Sequence, residues 1–151
     1  MTTTLAQHIT KYDGEEIIGY TVQGGQCIDE VRRRLWERTG NAYHGIPKVA
    51  AAKDFWTHAD LRYWEKHGRA SGYVPLRDAI VVLKAHGDNP YGHVCITRDG
   101  STQSTLYTFD QNWSHYRRCA RIHGVGRVLP DVSATPARAG ADFHWGLDRI
   151  R

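Results

Sequence analysis

Apolar positions along this chain change their period once. In the first half they recur in steps of three and four, and from Gly72 onward they gather in short runs rich in β-branched residues. Ile28, Val31 and Leu35 predict a helix from about Cys27 to Thr39, stopped at Gly40-Asn41. Pro47 suits the first turn of a second helix, in which Val49, Ala52, Trp56, Ala59 and Tyr63 form one packed side and His67-Gly68 the end. Upstream, residues 1–22 read as an arm with a short apolar patch at Ile17-Ile18.

The strands follow. Ala79 to Leu83 is a short apolar run, His86 to Pro90 is turn chemistry, and Tyr91 to Arg98 reads as the next strand. Asp99-Gly100 closes a hairpin onto a strand from Thr105 to Asn112, and Val125 to Leu129 reads as the last, ended by Pro130. Residues 131–151, with Ser, Thr, Pro, Ala and Gly before Phe143-His144-Trp145, read as a linker or loosely docked tail. Helices first and strands afterwards predict an α+β fold, N-terminal helices packed on an antiparallel sheet. The expected division is an arm over 1–22, a main unit over 23–130 and the tail over 131–151.

Length and charge narrow this reading only a little. At 151 residues the chain suits one core, and 40% hydrophobic with 24% charged residues is a globular balance. A net charge of +4 favours anionic partners without choosing among them. Three widely spaced cysteines without a C-x-x-C pair exclude a disulfide framework and a zinc finger. Met1 to Ile9 lacks the apolar run of a secretory signal, and no stretch approaches a membrane span, so synthesis in the cytoplasm without membrane insertion is expected.

The chemistry starts at Gly24-Gly25-Gln26-Cys27-Ile28-Asp29. A glycine pair delivers a cysteine to the first turn of the strong helix, where free N–H groups and the positive helix end favour a thiolate. His93 follows Gly92 early in a strand, and Asp110 and Asn112 lie two apart on the next, on one face of the sheet. Thiol, imidazole and an orienting acid or amide are what nucleophilic catalysis needs, with the helix N–H and Gln26 as donors to an oxyanion. Other readings exist for the same residues. Cys27 could be a structural thiol, and a zinc site of Cys27, His93 and Cys95 would have too few ligands. The run Arg32-Arg33-Arg34 could be a nucleic-acid stripe, or a solvated face supported by Asp29 with Arg33 and Glu30 with Arg34.

Gln26-Cys27-Ile28-Asp29, Gly40-Asn41-Ala42, Gly92-His93-Val94 and Asp110-Gln111-Asn112-Trp113 resemble, in order and spacing, the signatures of the CHAP family of papain-like amidases and peptidases. The likeness covers roughly residues 20 to 130. It implies a papain-like fold, Cys27 as nucleophile, His93 as base, Asp110 as orienting acid and Asn112 as a further polar partner, with Trp113 walling the cleft. Asp110 stands where the family more often carries Glu. Some phage members bind calcium through an acidic cluster before the cysteine, but Ile18, Tyr20, Val22 and Gly24 occupy that stretch here, so no metal and no cofactor are expected.

The resemblance implies a peptidoglycan hydrolase acting through an acyl-enzyme, either an N-acetylmuramoyl-L-alanine amidase or an endopeptidase of the stem or cross-bridge. It implies a monomer of endolysin or virion-associated type, released by a holin or carried on a phage particle, with peptidoglycan and no nucleic acid as partner. Two alternatives remain open at this level. One is a small basic RNA-binding domain using Arg32 to Arg34 with Arg117, Arg118 and Arg121; the other is a papain-like amidase acting on a non-wall amide.

Overall fold

A computed structural model of the chain describes residues 2–68, 73–85, 87–102, 105–113, 116–125 and 143–149. Helices α1 (Leu5–Tyr12), α2 (Cys27–Thr39) and α3 (Asp54–His58) combine with strands β1 (Trp64–Lys66), β2 (Ile80–Leu83), β3 (His93–Thr97), β4 (Leu106–Trp113), β5 (Tyr116–Val125) and β6 (Phe143–Arg149). The strands form one sheet in the order β1-β6-β2-β3-β4-β5, and every neighbouring pair is antiparallel. The α+β arrangement is therefore present, with α2 packed on β3 and β4. Among the described residues no helix is long and apolar enough to cross a membrane.

Strand β2 explains the layering. All of Ile80-Val81-Val82-Leu83 is buried, as expected of an apolar β-branched run in the middle of a sheet. Ile80 and Val82 join Val31 and Leu35 of α2, Phe55, Trp64, Val94 and Ile96 in the main core. Val81 and Leu83 alternate into a second cluster with Cys95 and Leu106. Helix α2 ends as its sequence demands: Gly40 takes left-handed φ 72° and its N–H closes on the Trp36 carbonyl.

Several expectations are corrected. The arm contains helix α1, started by a capping box in which Thr4 Oγ1 accepts the Gln7 N–H at 3.2 Å and Gln7 Oε1 accepts the Thr4 N–H at 2.8 Å. The helix expected from Pro47 to His67 shrinks to α3. Asp60 N–H bonds the Gly45 carbonyl, and Trp64 to Lys66 pair with β6 instead, so sheet pairing overrides helical periodicity. Phe55 and Trp64 are the buried aromatics of this stretch, whereas Tyr63 is exposed. β5 spans Tyr116–Val125; the strand expected over 125–129 lies, beyond Val125, outside the described residues. Phe143–Arg149 is not a tail or linker but a strand between β1 and β2.

The arginine run is neither stripe nor solvated face. Arg32 is buried between the Tyr43 and Phe55 rings and donates to the carbonyls of Ala42, Ile46 and Pro47 at 3.0, 2.6 and 2.6 Å. Burial without a carboxylate lowers its pKa to about 10. Arg34 pairs with Asp78 at 2.6 Å, and Asp29 and Glu30 are fully buried with other partners. On β5, Arg117 and Arg118 bond the carbonyls of Gln23, Gly24 and Gly14, and Arg121 pairs with Asp13, so these cations hold the 13–24 loop.

Candidate active site

The loop that leads to Cys27 is made rigid by its neighbours rather than by its own residues. Gly24 and Gly25 both take left-handed φ, 62° and 60°, which L side chains rarely adopt. At Gly25 it is this backbone conformation that favours glycine, since a Cβ there would meet only the flexible ends of Glu16 and Arg117. The turn is closed from the helix side by Asp29. Its carboxylate accepts the N–H groups of Tyr20, Thr21 and Gln26 at 2.8, 2.9 and 3.0 Å and the Thr21 hydroxyl at 2.5 Å. A buried acid at the third helical position thus caps α2 and folds the preceding loop back onto it.

Cys27 opens α2 and meets His93, which begins β3. The His93 Nε2 donates to Asp110 Oδ1, and the ring interacts with the Cys27 sulfur. Gly92 makes this approach possible. Its φ is 69°, and a Cβ there would stand 2.3 Å from the Leu83 carbonyl oxygen. The pair is nearly enclosed but not sealed, with Cys27 8% and His93 7% exposed. Burial disfavours the His93 cation, yet the Asp110 carboxylate and then the Cys27 sulfur outweigh it and hold the pKa well above the usual imidazole value. The Trp113 ring stands edge-on to His93, with centroids 5.1 Å apart.

Asp110 and Asn112 do not share one task. Asp110 holds His93 on one oxygen and the Thr108 hydroxyl on the other at 3.1 Å. Asn112 has left-handed φ 61° at a register shift between Gln111 and Trp113, which breaks the strand alternation expected from sequence. Its Nδ2 donates to Gln26 Oε1 at 2.9 Å, and Gln26 Nε2 donates to the Gly24 carbonyl at 3.3 Å. The amide beside Cys27 is therefore oriented from β4. Cys95 is fully buried; burial first, then the nearby Asp110, pushes its thiol pKa well up.

Sequence reasoning passed over Gln111, Thr108 and the loop-closing part of Asp29. For Asp29 a signal was present: an acid three positions after the helix-capping residue. For Gln111 none was, because its partners lie far away in the chain. Among the described residues no cluster of His, Cys, Asp and Glu is arranged to hold a metal ion.

This arrangement sits on a known framework. The fold resembles that of Ly7917. The crystal structure of Ly7917 superimposes with a TM-score of 0.65 at 18% identity, covering 97% of this chain and 63% of that one. The crystal structure of Ly7917 with the hydrolyzing product of MDP gives a TM-score of 0.59 at 20% identity, covering 79% of this chain and 54% of that one. The chain thus spans less than two thirds of Ly7917's length. No protein-family model and no curated protein sequence matches it.

Proposed function

We propose that this chain is a peptidoglycan hydrolase of papain-like type that cuts an amide bond through Cys27. The observation carrying the reading is the contact chain from the Cys27 thiol at a helix N-terminus through His93 to Asp110. The likeness to a Ly7917 structure that holds the hydrolyzing product of MDP (muramyl dipeptide) supports the same substrate class. So do the CHAP-like residues Gln26-Cys27, Gly92-His93 and Asp110-Gln111-Asn112-Trp113.

In this mechanism the Cys27 proton passes to His93 Nδ1, and Asp110 stabilises the resulting imidazolium. The sulfur attacks the amide carbonyl. The Cys27 backbone N–H in the first turn of α2, and the second N–H of the Gln26 amide, serve the developing oxyanion. The C–N bond breaks as His93 returns its proton to the leaving amine. Water then attacks the thioester with His93 as base, releasing a carboxylate and the free thiol. Either the bond joining muramic acid to L-alanine or one in the peptide stem or cross-bridge would serve.

Cys27→Ala is expected to abolish the clearing of a turbid suspension of purified walls while leaving the thermal melt intact. Undiminished clearing would remove the mechanism. Mass analysis of the fragments from wild-type digestion, with MDP as a defined small substrate, names the bond from its new termini.

A further inference from the structure

Gln111 lies between Asp110 and Asn112 and has no part in the chemistry above, yet its amide is fully engaged. It is completely buried. Oε1 accepts the Ile17 N–H at 2.7 Å and the Cys119 thiol at 3.2 Å, while Nε2 donates to the Ile17 carbonyl at 2.8 Å and the Gln26 carbonyl at 3.0 Å. The orientation is fixed by chemistry. The Ile17 N–H can only donate, so oxygen must face it and nitrogen must face the two carbonyls. The side chain thus grips both polar groups of Ile17, as an adjacent strand would, together with the carbonyl of the residue before Cys27. The Gly25 N–H closes on the same Ile17 carbonyl at 3.2 Å.

We propose that Gln111 is a positioning residue that sets Cys27 against His93. The proposal rests on the reading of Cys27 and His93 as the reacting pair. The glycine elbow before Cys27 has little stiffness of its own, so an outside group must fix where it delivers the sulfur. Gln111 does so from β4, the strand whose Asp110 holds His93, and one strand thereby locates both reacting groups. Without its N–H donors the carbonyls of Ile17 and Gln26 keep only the Gly25 and Asp29 N–H groups, both of the loop and helix start themselves, and the tie from β4 to the loop is lost. Ångström-scale misplacement of reacting groups costs on the order of 100-fold in rate.

The test uses two variants of the full chain. Gln111→Met keeps length and removes the amide; Gln111→Glu keeps the acceptor for Ile17 and removes the donors. Thermal melts, kcat and KM for wall clearing, and the rate of Cys27 alkylation by iodoacetamide at mildly acidic pH, followed by peptide mass, are compared with wild type. Folded variants are expected to alkylate Cys27 at least about tenfold more slowly and to lose about 10- to 100-fold in kcat with KM nearly unchanged. A folded variant with wild-type alkylation and kcat overturns the proposal. So does loss of folding in both variants, which would make Gln111 a folding residue alone. If wild type clears no walls, slower alkylation in the variants still upholds the positioning of Cys27, and only the peptidoglycan reading fails.

Discussion

Asp110 shows how much of this site hangs on a single carboxylate. Its two oxygens serve His93 and Thr108, and its charge is the largest influence favouring the His93 cation against the cost of burial. Asp110 reaches His93 from β4, the strand paired with β3. Replacing it by Asn keeps the shape and removes the charge. The His93 pKa, held up mainly by that charge, must then fall. In Asp110→Asn the alkaline limb of the wall-clearing pH profile is expected to move to lower pH, with the maximum rate down on the order of 100-fold. A profile with an unmoved limb would show that His93 does not carry the titrating proton.

At the scale of elements, α1 is fastened to α2 by a buried ionic cluster. His8 Nε2 meets Glu30 at 3.0 Å and Nδ1 meets Glu37 at 2.7 Å, while the Tyr12 hydroxyl donates to Glu37 at 3.1 Å. Burial raises the Glu30 pKa from 4.5 to about 7, although His8 pulls the other way. Burial opposes the His8 cation, but the two glutamates outweigh it and its pKa rises above 6.5. Between 4.5 and about 7 the folded chain therefore binds more protons at Glu30 than the unfolded chain does, so stability falls as pH rises through that window. The His8 contribution has the same sign, complete below 6.5 and lost as pH climbs through its folded value. Glu30→Gln removes the larger slope. Melts of this variant from about pH 5 to 8 are expected to decline less than those of wild type, and parallel declines would refute the assignment.

At the scale of the whole molecule, the strand nearest the C-terminus is not peripheral. β6 pairs with β1 on one side and β2 on the other, so its removal would open two edges inside the sheet. A chain ended after residue 142 is expected to melt roughly 10 °C lower or to lose its cooperative transition. A truncated chain that melts with the full-length protein would place β6 outside the stable fold. The proposed catalytic residues lie on α2, β3 and β4, so such a chain also separates fold stability from the local geometry of Cys27.

The sequence determined the elements that are locally encoded. Helix α2 has its glycine elbow and acid cap at its start and its Gly40 stop directly at its end, and β2, β3 and β4 carry short apolar or β-branched runs. It also marked Cys27 at a helix start, His93 after a glycine and Asp110 two positions before Asn112 on one strand. Tertiary structure decided the rest. It drew Trp64 out of a helical pattern to pair with β6, turned Arg32 inward onto carbonyls, and tilted Asn112 away from His93 at a bulge. Gln111 meets Ile17 across 94 positions of chain. A buried hydrogen bond of that span is set by which surfaces meet when the chain collapses, and no window of neighbouring residues contains both partners.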